Sequence, residues 1–117
     1  MIDHTDTAFD LDGLRFRMLS STASRVDPDS PTEFTYHQHG SLVWGEYIGD
    51  TVTEGRFVGA LRAQDLDISF AHALRTDGSV VHGRATSLVE RRRDGLLYLV
   101  ESFDVDGVAH ESVCVQS

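Results

Sequence analysis

Apolar and polar residues alternate along most of this chain, in short runs that favour β-strands. From Leu66 to Leu74 the positions of one parity are apolar, except for His72, which stands where another apolar residue is expected. Such alternation is typical of a strand with one face in a core. No segment sustains a helical period, so an all-β protein is predicted.

Eight β-rich runs follow one another, and two-residue turn signals separate most of them. The signals include Asp77-Gly78, Asp94-Gly95 and Asp106-Gly107, and Asp-Gly supplies the positive φ that a tight hairpin needs. The linker 22–31 is the exception, because its two prolines disfavour regular pairing. The predicted strands are residues 14–20, 33–38, 41–48, 51–61, 66–75, 80–92, 96–104 and 108–115.

An antiparallel sheet of eight strands must protect its two edges, and closure into a barrel removes them. We therefore predict a single eight-stranded antiparallel up-and-down barrel of calycin or lipocalin type, formed by residues 13–117. Residues 1–12 are polar and acidic and are expected to be a flexible segment. The interior of an eight-stranded barrel is either filled by side chains or holds one small ligand.

Assumed hairpin registers indicate which residues face inward. A two-residue turn at Gly49-Asp50 sets Trp44 opposite Gly55, and one at Asp77-Gly78 sets His72 opposite Gly83. The glycines at such positions indicate tight barrel corners or unfilled space.

The facing of strand 96–104 depends on its turn, because a slip of one residue reverses every side chain. A three-residue loop ending at Gly95 turns the more hydrophobic face inward and sets Glu101 across from Ser87. The predicted interior comprises Trp44, Glu46, Phe57, Phe70, His72, Ser87, Glu101 and Phe103.

This interior combines aromatic rings with one imidazole and two carboxyls. His72 and Glu101 could form a general acid/base pair. They could equally be buried polar groups that satisfy one another and specify the register. The pair His37 and His39 has a spacing that can chelate zinc, but the third ligand would be His4, His82 or His110 by elimination alone, so no metal site is predicted.

Charge and cysteine content exclude several classes of function. The net charge is −9, which disfavours nucleic acid and anionic membrane surfaces as partners. Cys114 is the single cysteine, so an internal disulfide is excluded. Nucleotide-binding loops and a signal-peptide pattern are not evident, and we expect no cofactor and a cytoplasmic location.

Three segments, "LVWGEYIGDTVTEGRFVGAL", "FAHALRTDGSVVHGRATSLVE" and "RDGLLYLVESF", resemble a family of short bacterial proteins commonly labelled n-acetylglutamate synthase. The resemblance spans roughly residues 34–104. An acetyltransferase of the usual type needs a mixed α/β fold and a helix N-terminus that holds a pyrophosphate. Because this chain offers neither, the resemblance implies a barrel and not the labelled activity.

The function predicted from the sequence is binding of a small, largely apolar molecule inside the barrel. Trp44, Glu46, Phe57, Phe70, Ser87 and Phe103 are the predicted ligand-binding residues. One alternative is a cofactor-free isomerase or cyclase that uses His72 with Glu101, and another is a structural or protein-binding module with a dry core. A homodimer is also considered, since Tyr98 and Val100 would remain on an outer face.

Overall fold

The computed structural model describes residues 9–22, 26, 29–105 and 107–117. Eight antiparallel strands form one closed barrel, in which each strand pairs with its neighbours in the chain and β8 pairs with β1. The predicted all-β calycin-type barrel is confirmed. The strands are β1 (Arg15–Ser21), β2 (Glu33–His39), β3 (Leu42–Gly49), β4 (Val52–Arg62), β5 (Asp65–Leu74), β6 (Val80–Arg91), β7 (Leu97–Val105) and β8 (Val108–Gln116).

The part of the chain that the structure describes holds no helix long and apolar enough to cross a membrane.

One end of the barrel is filled by apolar side chains. Leu61, Leu66 and Val89 are fully buried there, close to the hairpins that follow β4 and β6. Leu11, which precedes β1, is also fully buried in this core, and its backbone N–H donates to Gln38 Oε1 at 2.8 Å. The packed chain therefore includes at least one residue of the segment predicted to be flexible, whereas residues 1–8 lie outside the described part. The domain limits stay a prediction.

Two interior glycines let an aromatic ring cross the neighbouring strand. Gly45 pairs with both Tyr36 and Phe57, whose ring centroids lie 4.6 Å apart across it. A Cβ at Gly45 would overlap the Phe57 ring and the carbonyl oxygen of Thr35. A Cβ at Gly55 would lie 2.5 Å from the Tyr47 ring. At these two positions the space beside the backbone is occupied by a ring.

The register between β3 and β4 differs from the prediction. Trp44 pairs with Val58, and Tyr47 pairs with Gly55, because the pairing shifts between Tyr47 and Gly49 at an irregular turn. Gly49 has a φ of 116° and Asp50 a φ of 54°, so the connection is not a regular two-residue hairpin. The inward orientation predicted for Trp44 is wrong, and its side chain is 39% exposed.

Glu46 shares the face of Trp44, so its predicted inward orientation is wrong as well. Its carboxylate contacts His37 Nε2 on the outer surface at 3.1 Å. The inner face of β3 is formed instead by Val43, Gly45 and Tyr47, all of which are buried.

The hairpin between β5 and β6 is wider than predicted. The Leu74 N–H donates to Ser79 O, and the Gly78 N–H donates to Leu74 O, so the loop is longer than two residues. His72 consequently pairs with Val81, and Gly83 pairs with Phe70. The predicted pairing of His72 with Gly83 is wrong by two residues, which leaves the inward facing of β5 unchanged.

The favoured register between β6 and β7 is confirmed. Glu101 pairs with Ser87, and Leu97 and Leu99 are buried.

Candidate functional site

A cavity of about 620 Å³ occupies the end of the barrel opposite the filled core. Its mouth lies at the C-terminal ends of β3, β5 and β7, where Asp50, Leu74 and Asp104 contribute to the lining. The walls are largely aromatic, because inward positions of five strands carry rings that reach this cavity. These rings belong to Phe34, Tyr47, Phe57, Phe70 and Phe103.

Glu101 is the polar group at the bottom of this cavity. Its Oε1 accepts a hydrogen bond from Ser112 Oγ at 3.3 Å, and its Oε2 accepts one from Ser87 Oγ at 3.5 Å. The three residues lie side by side in the sheet, since Glu101 pairs with Ser87 on β6 and with Ser112 on β8. Both serines are almost fully buried, so this row is a polar patch inside an apolar barrel.

Burial raises the pKa of the Glu101 carboxyl above its ordinary value of 4.5, and the hydrogen bonds from Ser112 and Ser87 offset part of that rise. Burial also raises the pKa of Tyr36 and of Cys114, and the negative charge of Glu101 adds to both shifts. Tyr36 and Cys114 therefore keep their protons at neutral pH, and neither supplies Glu101 with a positive charge.

His72 lies on the cavity wall and has Tyr47 as its hydrogen-bond partner. The Tyr47 hydroxyl is 2.7 Å from His72 Nδ1, and the two side chains meet across Gly55, which pairs with both residues. Burial lowers the pKa of His72 and raises the pKa of Tyr47. At neutral pH a protonated phenol and a neutral imidazole therefore share this hydrogen bond.

A family model of avidin-like proteins matches residues 9–117 of this chain. The chain belongs to the avidin-like family. The match covers every strand of the barrel, and the calycin-type, ligand-binding form of that family agrees with the cavity described above. Searches of curated proteins and of solved structures found no match.

This avidin-like barrel brings most of the predicted site residues together. Phe57, Phe70, His72, Glu101 and Phe103 all line the cavity, and Ser87 hydrogen-bonds to Glu101 from beneath it. Trp44 and Glu46 lie on the outer face, as described above. The roles assigned to these residues stay predictions.

The predicted acid/base pair of His72 and Glu101 has a different geometry from the one expected. Among the described residues, the hydrogen-bond partner of His72 is Tyr47, and the partners of Glu101 are Ser87 and Ser112. Both groups face one cavity, but each is already held by its own neighbours.

Several contributors to the avidin-like site were missed from the sequence, among them Tyr47, Phe34 and Ser112. Tyr47 was not among the predicted inward residues, because the predicted register turned Trp44 and Glu46 of the same strand inward, whereas Phe34 and Ser112 lie on strands whose facing was left open. The alternation of Phe34 and Tyr36 in "EFTYHQ" could have identified the inner face of β2.

The histidine pair His37 and His39 does not form a metal site in the described chain. His37 contacts Glu46 and stacks on Trp44 with ring centroids 5.7 Å apart, and His39 is exposed. Groups of three potential metal ligands are absent from the residues that the structure describes.

Replacing Glu101 by glutamine is expected to change how stability depends on pH. A carboxyl whose pKa is higher in the folded state than in the unfolded state stays protonated up to a higher pH in the folded protein. The free energy of unfolding therefore falls as the pH rises from 4.5 towards the folded-state pKa. Glu101→Gln should lack this decline and gain stability relative to the wild type across that window. Urea denaturation over a pH series measures it, with Glu33→Gln, which removes an exposed carboxyl, as the control. A parallel decline in wild type and Glu101→Gln would show that Glu101 is not desolvated.

Proposed function

We propose that this avidin-like barrel binds a small molecule, largely apolar with one polar end, in the open cavity. The observation that carries the proposal is the aromatic-lined cavity of about 620 Å³ with a polar group at its bottom. Cavities of roughly 300–1,000 Å³ with apolar walls and few convergent polar groups are typical of small-molecule sites.

The polar groups occupy two positions that would orient such a molecule. Glu101 and its two serines lie at the bottom, and His72 with Tyr47 lies on one wall. A ligand whose polar end enters first would meet the carboxyl and bury its apolar body among the rings. Membership of a ligand-binding barrel family supports an interior ligand and leaves its identity open.

A tryptophan at the mouth of the cavity is expected to block binding. Val81 lines the cavity and is 39% exposed, so Val81→Trp places an indole in the mouth without disturbing the core. N-phenylnaphthylamine, an uncharged dye that fluoresces in apolar surroundings, should bind the wild type saturably. It should bind Val81→Trp at least tenfold more weakly, a loss of about 1.4 kcal/mol or more.

Val58→Trp is the matched control, because Val58 is 51% exposed on the outer face of β4. This variant adds the same indole and should keep the affinity of the wild type for the dye. Equal affinity of the wild type and Val81→Trp, or a loss of affinity in Val58→Trp alone, would place the bound dye outside the barrel and contradict the proposal.

A second candidate is a cofactor-free isomerase or cyclase in the same cavity. The contact that favours it is the Tyr47 hydroxyl at 2.7 Å from His72, since a phenol and an imidazole can pass a proton between them. Once a substrate is identified, His72→Phe should abolish turnover while the affinity stays within roughly tenfold. Loss of affinity without any measurable turnover in the wild type would favour the binding function.

Two further expectations stay proposals. Tyr98 and Val100 lie on the outer face of β7, as a homodimer contact there would need, but Arg92 and Asp94 already contact the Tyr98 side chain. A cytoplasmic location follows only from the pattern of the sequence.

A further inference from the structure

The charged groups around the cavity are unevenly distributed. Glu101, Asp50 and Asp104 contribute three carboxyls to the lining, and the described lining includes no arginine. The chain contains no lysine, and every arginine that the structure describes is exposed. The basic side chains of the lining are His72 and His82, and burial lowers the pKa of His72, which keeps that imidazole neutral.

The carboxyl of Glu101 has unused capacity for a partner. A carboxylate can accept about four hydrogen bonds, and Glu101 receives two, at 3.3 and 3.5 Å, both long for a hydroxyl donor. The ion pairs of the described residues join other groups, all on the outer surface, and none involves Glu101. Buried charges in proteins are normally paired.

The aromatic walls add a second attraction for positive charge. The faces of Phe and Tyr rings carry negative potential and attract ammonium groups placed within about 6 Å of the ring centre. Phe34, Phe57, Phe70 and Phe103 line the same cavity as Glu101. A cation would gain from both the rings and the carboxyl, and the net charge of −9 would favour its approach.

We propose that the ligand of this cavity is an organic cation, an amine or ammonium group on an apolar body, with its charged end directed at Glu101. The inference rests on the proposed function and specifies the class of ligand. A carboxylate or phosphate ligand would instead face three carboxyls in a described lining that has no arginine and whose basic side chains are His72 and His82.

Three molecules of one skeleton test the proposal: phenylbutylamine, phenylbutanol and phenylbutyrate, which are cationic, neutral and anionic at neutral pH. Their affinities are measured by isothermal titration calorimetry. For the wild type we expect the amine to bind at least about tenfold more tightly than the alcohol, and the carboxylate to bind most weakly. Glu101→Gln should weaken amine binding at least about thirtyfold, the lower end of the cost of removing one partner of a buried charge pair.

The control is Glu33→Gln, which removes one carboxyl from the outer face. It lowers the net negative charge as much as Glu101→Gln does, and it should leave all three affinities unchanged within about twofold of the wild type. Thermal unfolding of each variant verifies that it is folded before the titrations are compared.

The outcomes separate this inference from the proposed function. Equal binding of amine and alcohol, or an unchanged amine affinity in Glu101→Gln, would overturn the cation preference while an interior ligand site stands. If none of the three molecules binds, or if Val81→Trp binds them as well as the wild type does, the interior site itself is contradicted.

The pH dependence of amine binding, compared between the wild type and Glu101→Gln, gives a further test. Amine affinity should rise with pH as Glu101 loses its proton, whereas alcohol affinity should not. The other titratable groups facing Glu101 are Tyr36 from β2, Tyr47 from β3, His72 from β5 and Cys114 from β8, with Asp50, His82 and Asp104 at the mouth. Tyr36, Tyr47 and Cys114 keep their protons over the neutral range, so they do not mimic the effect. Any contribution of the histidines and aspartates persists in Glu101→Gln, so the rise that is present in the wild type and absent from this variant belongs to Glu101. An amine affinity independent of pH would contradict the proposal.

Discussion

Replacing Gly45 by alanine is expected to lower the free energy of unfolding by at least about 3 kcal/mol, or to prevent folding. The new methyl group would overlap the carbonyl oxygen of Thr35, which belongs to the backbone of β2, and the ring of Phe57. A ring can tilt, but a backbone carbonyl in a paired strand cannot move without breaking the sheet. The barrel would have to open locally between β2 and β3.

Urea denaturation of Gly45→Ala against Gly83→Ala measures this effect. A Cβ at Gly83 would lie 3.0 Å from the far end of the Phe70 ring, which can turn away, so Gly83→Ala should cost about 1 kcal/mol or less. If Gly45→Ala unfolds at the same urea concentration as the wild type, Phe57 and Thr35 do not pack against Gly45 as described.

Replacing Leu11 by alanine is expected to cost about 3 kcal/mol, the second largest effect. Leu11 belongs to no strand, but it is fully buried and packs in the filled end of the barrel. Truncating a buried leucine to alanine costs about 2–5 kcal/mol, because the apolar contacts are lost and a cavity remains.

The control for Leu11→Ala is Leu19→Ala, since Leu19 is 46% exposed on β1. The control should change the free energy of unfolding by about 0.5 kcal/mol or less. Equal stability of the two variants in urea denaturation would mean that the segment before β1 does not help to close the barrel.

The strands could be predicted from the sequence because two local signals agree. Alternation identifies each strand, and glycine-containing turns separate most of them. Closure of the sheet into a barrel was predicted because an open sheet would leave two strands with unpaired edges. These arguments use neighbours along the chain, which is why all eight strands were found.

The facing of β3 could not be predicted, because it depends on the conformation of one turn. Gly49 and Asp50 both adopt positive φ, and the pairing shifts next to them. The shift exchanges Tyr47 for Trp44 on the inner face. Sequence alternation on β3 gives little guidance, since both faces carry apolar residues.

The neighbours of His72 in the structure differ from those that the sequence predicted. The sequence indicated an inward histidine next to a glycine, and a glycine does lie beside it, but that glycine is Gly55 on β4. The space above Gly55 is filled by the Tyr47 ring, which reaches across the strand to His72. Because β4 lies between β3 and β5, a contact between these two strands could not be predicted from the pairing of adjacent strands.

The central claim is that a small molecule binds inside the open end of the barrel. Nuclear Overhauser effects between N-phenylnaphthylamine and the protein locate the bound dye directly. We predict intermolecular effects to the rings of Phe70 and Phe103, which line the cavity, and none to the indole of Trp44 on the outer face. Effects confined to Trp44 and its paired neighbour Val58 would contradict the claim.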